Sequence, residues 1–184
     1  MQHDIVFSGF GGQGVLFAGQ LLAYGAMDAG LHVTWIPSYG PEMRGGTANC
    51  TVVVSDEEIG SPLVRQPACV LAFNNPSVEK YEALTAARGL LIYNASLTSH
   101  VITRADIRAV PIHASEVAAE LGNPRLLNMV MMGALLQLTD VLPIAAVEAA
   151  LEAHMSMRRP ELLALNKQAL RRGMTLAEFA LATV

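Results

Sequence analysis

Short apolar runs alternate with longer stretches of helical pattern over most of the chain. The runs at 3–8, 31–36, 68–73, 89–93 and 108–113 have the apolar and β-branched character of buried strands. Helical patterns lie between several of them, at 15–29, 77–88 and 115–121. This alternation predicts an α/β fold of Rossmann-like type, with a mainly parallel sheet and helices on both of its faces.

Two parts of the chain depart from this alternation. The β-branched run 47–55 and the run 68–73 follow each other with no helical pattern between them, so we expect an antiparallel excursion and a mixed sheet. After position 125 only helical patterns remain, and these predict a helical C-terminal segment. The predicted helices cover 125–139, 144–155, 161–170 and a last turn or two within 175–182. One domain over 1–184 is expected from the length.

The composition excludes some classes of protein. Apolar residues make up 52% of the 184 residues and charged residues only 15%, against about 25% charged in typical soluble domains. Disorder is excluded by this balance, and a net charge of −4 argues against nucleic-acid binding. With so few ionic groups, either small residues and amides cover the surface, or other subunits cover part of it. We favour the second interpretation.

Neither a metal centre nor a membrane segment is expected. Cys50 and Cys69 lie in apolar runs and have no metal-ligand spacing, so we interpret them as buried thiols of a reducing cytosol. Two cysteines cannot hold an iron–sulfur cluster by its usual four ligands. The uncharged stretch 5–27 contains many glycines and follows Asp4, unlike a signal peptide, and 126–139 is too short to span a bilayer. A soluble, cytoplasmic protein is therefore expected.

The first candidate site is the glycine loop, 9–14, which fits the pattern G-x-G-x-x-G between a predicted strand and a predicted helix. Glycines allow a tight turn, and the N-terminus of the helix offers free N–H groups to an anion. The acidic residue that NAD-binding folds place at the end of the second strand is missing, because 35–38 reads Trp-Ile-Pro-Ser. A phosphate-bearing ligand of another kind and a purely structural turn, or one used for subunit contact, both remain open.

The second candidate site is the loop 38–49, which we expect beside the glycine loop because both follow strands at the same edge of the sheet. Arg44 could hold a phosphate or carboxylate by two parallel bonds, or pair with Glu42 or with an acid of a neighbour. Glu42 has no partner in the sequence that would tune it as a base, so no catalytic residue is expected. In the apolar helix after 125, a buried Asn128 would need a hydrogen-bond partner.

These two loops, together with the run 122–134, resemble the gamma subunit of the 2-oxoacid:ferredoxin (acceptor) oxidoreductases. The resemblance implies a subunit of an enzyme that oxidatively decarboxylates a 2-oxoacid, forms an acyl-CoA and passes electrons to ferredoxin. The length of the chain is most similar to the 2-oxoglutarate type. Alpha, beta and in some cases delta subunits are the implied partners, and they would hold the thiamine diphosphate, its Mg²⁺ and the iron–sulfur clusters.

Chemistry of the loops adds an expectation of its own, that they hold the phosphate end of coenzyme A. The isolated chain is then expected to be inactive, and it can bury the same surface in a homodimer. The alternatives are a stand-alone Rossmann-type protein that binds a nucleotide or flavin, and a pure assembly scaffold. The residues expected to bind the cofactor are Gly9, Gly11, Gly12, Gln13, Gly14, Tyr39, Glu42, Arg44, Gly45, Gly46 and Thr47.

Overall fold

A computed structural model describes residues 1–39, 46–154 and 160–182 of the chain. Six strands and six α-helices are assigned within these ranges, together with two short 3₁₀ turns at Ala95–Leu97 and Pro124–Leu126. The strands are β1 (Gln2–Phe10), β2 (His32–Tyr39), β3 (Thr47–Ser55), β4 (Cys69–Ala72), β5 (Leu90–Asn94) and β6 (Arg108–Ile112). The helices are α1 (Val15–Asp28), α2 (Asn75–Leu84), α3 (Ala114–Glu120), α4 (Leu127–Leu138), α5 (Ile144–His154) and α6 (Pro160–Ala182).

The strands form one sheet in the order β2-β3-β1-β4-β5-β6. Strand β3 is antiparallel to both of its neighbours, whereas β1, β4, β5 and β6 are mutually parallel. The predicted α/β class, the mixed sheet and the antiparallel excursion are therefore confirmed. Strand β3 lies between β2 and β1, and it begins at the edge of the sheet where those two strands end.

The two faces of the sheet are covered unequally. On one face, Ile5 and Phe7 of β1 belong to the large core that includes residues of α1, α3, α4, α5 and α6. On the other face, Val6 packs in a smaller core with Val78 and Tyr81 of α2. The alternation along β1 follows from the period of two in a strand. Helices on both faces are thus confirmed, but one face carries five of the six described helices.

Strand β2 and helix α6 are longer than the sequence predicts. Proline was expected to end the second strand, yet β2 continues through Pro37, which lies opposite Cys50, as far as Tyr39. Since β2 is at the edge of the sheet and pairs only with β3, the missing N–H of proline costs no second ladder bond. The predicted break between 170 and 175 is wrong, because α6 passes through Gly173 without interruption.

Close contact between α4 and α6 explains why each of these helices contains a glycine in its interior. A Cβ on Gly173 would lie 2.0 Å from the carbonyl oxygen of Val130, and one on Gly133 would lie 1.9 Å from that of Leu170. Both distances are far below van der Waals contact. The two helices therefore approach each other through reciprocal glycines, and this approach seats the C-terminal helix on the core.

The connection from β5 to β6 is irregular, and two side chains of α2 hold it to that helix. Glu82, which is buried, accepts hydrogen bonds from the backbone N–H groups of Thr103 and Arg104 and is also paired with the His100 ring. Asn75 Oδ1 accepts from the N–H groups of Ser99 and His100. Burial raises the pKa of Glu82, but the hydrogen bonds from His100, Thr103 and Arg104 outweigh burial and lower the pKa to about 2.

No helix in the described part of the chain is long and apolar enough to cross a membrane.

Gly133→Ala is expected to lower the free energy of unfolding by about 3 kcal/mol, because the new methyl group must displace the backbone of α6. Gly60→Ala is the matched control, since nothing lies within 4 Å of a Cβ at that position. Urea unfolding of both variants measures the difference. Equal stability of the two variants would contradict the reciprocal contact.

Glu82→Gln is expected to cost about 2 kcal/mol of unfolding free energy at neutral pH, because a neutral amide with a single acceptor oxygen replaces a charged acceptor with two. The folded pKa lies below the ordinary value of 4.5, so this stabilisation is present above about pH 4.5 and is lost as the pH falls towards 2. Wild type and variant should therefore converge in acid. Denaturation at about pH 7 and about pH 3 checks this, with the exposed Glu58→Gln as control; a constant difference would refute it.

Candidate functional site

The glycine loop joins the end of β1 to the start of α1 in a turn that tolerates few side chains. Gly12 and Gly14 have φ of +98° and +73°, a region that L-residues with a Cβ rarely occupy. Gly9 is an extended strand residue, but a Cβ there would lie 2.7 Å from Gln13 Oε1. The predicted loop therefore begins inside β1, and glycine is required at its two ends for different reasons.

The side chain of Gln13 closes the loop from within. Its Oε1 accepts hydrogen bonds from the backbone N–H of Phe10 at 2.7 Å and from Asn74 Nδ2 at 3.0 Å. Its Nε2 donates to the carbonyl oxygen of Phe73 at 3.3 Å. Asn74 in turn caps α2, since its side chain accepts from the N–H of Ser77. Gln13 thus fastens the glycine loop to the end of β4 and the start of α2.

Asn128 holds the other side of the loop. This residue, near the start of α4, is buried, and its Nδ2 donates to the carbonyl oxygen of Gly14 at 3.3 Å. A Cβ on Gly14 would lie only 2.3 Å from that nitrogen, so the approach of α4 also requires glycine at this position. The expectation that a buried Asn128 finds a hydrogen-bond partner is confirmed.

The second loop meets the glycine loop where β3 begins. The N–H of Gly11 donates to the carbonyl oxygen of Gly46 at 3.0 Å, and Thr47 lies opposite Phe10 in the β1–β3 ladder. Tyr39 ends β2 at the same edge. The predicted proximity of the two loops is confirmed for these residues. Three other predicted site residues, Glu42, Arg44 and Gly45, lie outside the described residues.

A shallow cavity of about 210 Å³ opens at the start of α1. The residue before the helix is Gly14, so no side chain caps the first N–H groups of α1. The first turn of α1 carries no acidic residue. The N–H groups of this turn and the positive end of the helix dipole therefore face the cavity without a competing carboxylate from that turn. The cavity is lined by Phe10, Gly11, Gly12, Gly14, Val15, Leu16, Phe17 and Ala48.

Reactive side chains are scarce in this region. Burial raises the pKa of Cys50 and of Cys69 to about 12, so neither thiol is an ionised nucleophile at neutral pH. The expectation that both thiols are buried is confirmed. Across residues 1–39, 46–154 and 160–182, no group of three or more His, Cys, Asp or Glu side chains could hold a metal ion. The described part of the site suits binding of an anion rather than acid–base or metal chemistry.

Sequence reasoning missed the structural partners of the glycine loop. The cap formed by Asn74 had a recognisable signal, the Asn-Asn-Pro sequence at 74–76 before a helical pattern. Nothing in the sequence linked Asn74 or the carbonyl of Phe73 to Gln13, which lies sixty residues earlier in the chain. Gln13 was predicted as a ligand-binding residue, and the structure shows its amide engaged in hydrogen bonds within the protein.

A model of the family described as pyruvate ferredoxin/flavodoxin oxidoreductase (POR) matches residues 4–176. The chain is 40% identical over 134 residues to the ketoisovalerate oxidoreductase subunit VorA of Methanothermobacter marburgensis. That match covers 73% of this chain but 28% of VorA, so the chain spans little more than a quarter of that relative. The 2-oxoglutarate synthase subunit KorC of the same organism is 35% identical over 159 residues, covering 83% of this chain and 86% of KorC.

Solved structures share the fold over almost the whole chain. The gamma subunit of a keto/oxoacid ferredoxin oxidoreductase from Geobacter sulfurreducens superposes with a TM-score of 0.82 at 27% identity, covering 96% of this chain and 99% of that one. A 2-oxoglutarate:ferredoxin oxidoreductase from Magnetococcus marinus, solved with 2-oxoglutarate, coenzyme A and succinyl-CoA bound, gives a TM-score of 0.88 at 26% identity. The match covers 97% of this chain and 31% of that one.

Proposed function

Because the chain belongs to the pyruvate ferredoxin/flavodoxin oxidoreductase family, we propose that it is the gamma subunit of a 2-oxoacid:ferredoxin oxidoreductase complex. In that complex a 2-oxoacid is oxidatively decarboxylated to an acyl-CoA and electrons pass to ferredoxin. The chain acts as a single gamma-type domain, and alpha and beta subunits, with a delta subunit in some assemblies, complete the enzyme. None of the similar proteins named above supports the alternative of a stand-alone nucleotide- or flavin-binding protein.

Within this complex the two loops hold the phosphate end of coenzyme A. The main support for this proposal is that the glycine loop and the second loop lie side by side at the start of α1. The hydrogen bond from Gly11 to Gly46 joins them, and no side chain caps the helix there. An anion there meets free N–H groups and the positive end of a helix. The Magnetococcus enzyme, whose fold matches over 97% of this chain, was solved with coenzyme A bound, which supports this ligand.

The chain's own residues contribute binding and positioning rather than bond making. Gln13 and Asn128 keep the glycine loop in one conformation, so little order has to be gained when the anion binds. Arg44, whose sequence neighbours in the second loop lie beside the glycine loop, would add a guanidinium to the phosphates. Thiamine diphosphate with its Mg²⁺, and the iron–sulfur clusters, belong to the partner subunits in this proposal.

We propose 2-oxoglutarate as the substrate of the complex. KorC, a 2-oxoglutarate synthase subunit, matches 83% of this chain with 86% of its own length, and the Magnetococcus enzyme was solved with 2-oxoglutarate. VorA matches at higher identity but through a smaller part of its length. Contacts with the oxoacid itself are expected on the partner subunits, which therefore decide between 2-oxoglutarate, pyruvate and branched-chain substrates.

Gly12→Asp should weaken coenzyme A binding to the assembled complex at least tenfold relative to Gly12→Asn, because the new carboxylate repels the phosphates. Aspartate and asparagine are matched in shape, and both tolerate a positive φ better than most residues. Nothing lies within 4 Å of a Cβ at position 12, so both side chains fit there. Calorimetric titration measures both affinities. If the two variants bind coenzyme A equally, the phosphates do not lie at this loop. Arg44→Ala, titrated in parallel, tests the second loop separately.

The chain purified alone should show no ferredoxin-linked oxidation of 2-oxoglutarate, whereas the complex purified from cells that co-express its companion subunits should show it. Activity is measured by reduction of ferredoxin with 2-oxoglutarate, pyruvate or 2-oxoisovalerate as substrate, and kcat/KM should be highest for 2-oxoglutarate. Turnover by the isolated chain would refute the subunit assignment. A preference for another oxoacid would refute only the choice of substrate.

A further inference from the structure

The two edge strands of the sheet differ in how well they are protected against pairing with another chain. Short length, charged side chains and prolines are the usual protection of an edge strand. Strand β6 has five residues, begins with Arg108 and contains Pro111. Strand β2 has eight residues, contains no Lys, Arg, Asp or Glu, and reaches Pro37 only after its first five residues. The stretch 32–36 is therefore the less protected edge.

Hydrogen bonds elsewhere in the sheet identify the backbone groups that β2 turns outward. The N–H of Phe73 in the β4 register donates to the carbonyl oxygen of Ser8, so Ser8 faces β4 and the next residue back, Phe7, faces β3. Phe7 lies opposite Cys50, and Cys50 lies opposite Pro37. Since Cys50 directs its N–H and C=O towards β1, Pro37 directs its carbonyl away from β3, to the open edge.

Val33 and Trp35 share this outward orientation, because each is an even number of positions from Pro37. Among the described strands, β2 pairs only with β3, so the N–H and C=O groups of both residues lack a strand partner. Their side chains pack at the rim of the large core. Between them lies Thr34, whose buried hydroxyl has no hydrogen-bond partner among the described residues. The stretch thus has unpaired backbone donors and acceptors and one unsatisfied hydroxyl.

These groups are complementary to their own copies about a twofold axis through Thr34. In an antiparallel pairing on this axis, Val33 of each copy lies opposite Trp35 of the other, and each such pair exchanges two N–H···O=C bonds. An aromatic side chain opposite a β-branched one is a favourable cross-strand pair. The two Thr34 hydroxyls meet at the axis, where threonine pairs form hydrogen bonds across strands.

The same register also suits the ends of the paired segment. Pro37, which has no N–H, lies opposite Leu31 of the second copy, whose own N–H donates to the carbonyl oxygen of Ala26. Ile36, which is 40% exposed, lies opposite His32 of the second copy. An axis at residue 35 or 36 would instead bring Pro37 into the paired segment and leave a carbonyl of the other copy without its donor.

We infer that β2 is a pairing edge for a second copy of this chain. Two copies join β2 to β2 about the axis at Thr34, and their six-stranded sheets become one continuous sheet of twelve strands. Addition of a strand to an exposed edge is a recurring mode of association. A second copy fits this edge because Val33 and Trp35 complement each other and Thr34 complements itself. The contact uses no residue of the glycine loop or the second loop, so the inference does not rest on the proposed function.

Cysteine cross-linking of the full chain tests the axis. Thr34→Cys places two thiols in a non-hydrogen-bonded pair, whose Cα atoms lie about 4.5 Å apart, within the reach of a disulfide. Ile36→Cys is the matched control, because its two copies would be separated by four residues along the strand, roughly 14 Å. The native Cys50 and Cys69 are buried. Under mild oxidation of the folded chain, Thr34→Cys should form a covalent dimer at least tenfold faster than Ile36→Cys.

Sedimentation velocity of the full chain at increasing concentration tests the backbone contact. Val33→Pro removes one outward N–H from each copy, whereas Val33→Thr keeps the N–H and the β-branched shape. Loss of two hydrogen bonds per dimer should weaken self-association of Val33→Pro at least tenfold relative to Val33→Thr. Circular dichroism checks that both variants fold, and if Val33→Pro does not, the cross-linking comparison decides.

The outcomes are distinct for this edge and for the proposed function. A chain that stays monomeric at every concentration, equal cross-linking of the two cysteine variants, or equal association of the two Val33 variants would each overturn the inference. Cross-linking of Thr34→Cys to a companion subunit of the assembled complex, in place of a second copy, would overturn it too. The proposed function stands in all of these cases, because its own tests measure coenzyme A binding and turnover.

Discussion

The amide of Gln13 is the interaction on which the candidate site depends. By accepting from Phe10 and Asn74 and donating to Phe73, it ties a glycine-rich turn, which would otherwise have wide conformational freedom, to the ends of two parallel strands. The space for this amide exists only because residue 9 has no side chain. Removal of either the amide or the glycine would leave polar backbone groups of the loop without partners, which is costly in a partly buried region.

Three helices are positioned around this fixed turn. Helix α1 starts at Val15 and runs back across the large core, where Gly19 allows the thiol of Cys50 to pack directly against it. Helix α4 approaches the same turn through Asn128 and is itself held by α6 through the reciprocal glycines. The start of α1 is thus supported from the sheet on one side and from the helical C-terminal segment on the other. Such support keeps an anion-binding turn ready for its ligand.

The electrostatic character of this region agrees with a role in binding. Both thiols are buried and their pKa values are raised to about 12, and Glu82, whose pKa is lowered to about 2, is engaged in holding the β5–β6 connection on the opposite face. What the described part of the site offers instead is backbone N–H groups and the positive end of a helix. The proposed function, in which partner subunits hold the cofactors, agrees with this character of the described residues.

Local patterns were sufficient for those features that depend on neighbouring residues. The alternation of apolar runs determined the α/β class, the β-branched run at 47–55 indicated the antiparallel strand, and the glycines at 9–14 located the turn between β1 and α1, because periodicity and backbone freedom act over a few residues. Tertiary structure alone decided that β2 passes through Pro37. At the edge of the sheet the strand has one neighbour, so the missing N–H of proline costs no second ladder bond. Tertiary structure also decided that α6 stays continuous at Gly173 and that Gln13 and Asn128 meet residues sixty and more positions away. Contacts of that kind depend on which elements become neighbours in the folded chain, and short-range patterns do not contain this information.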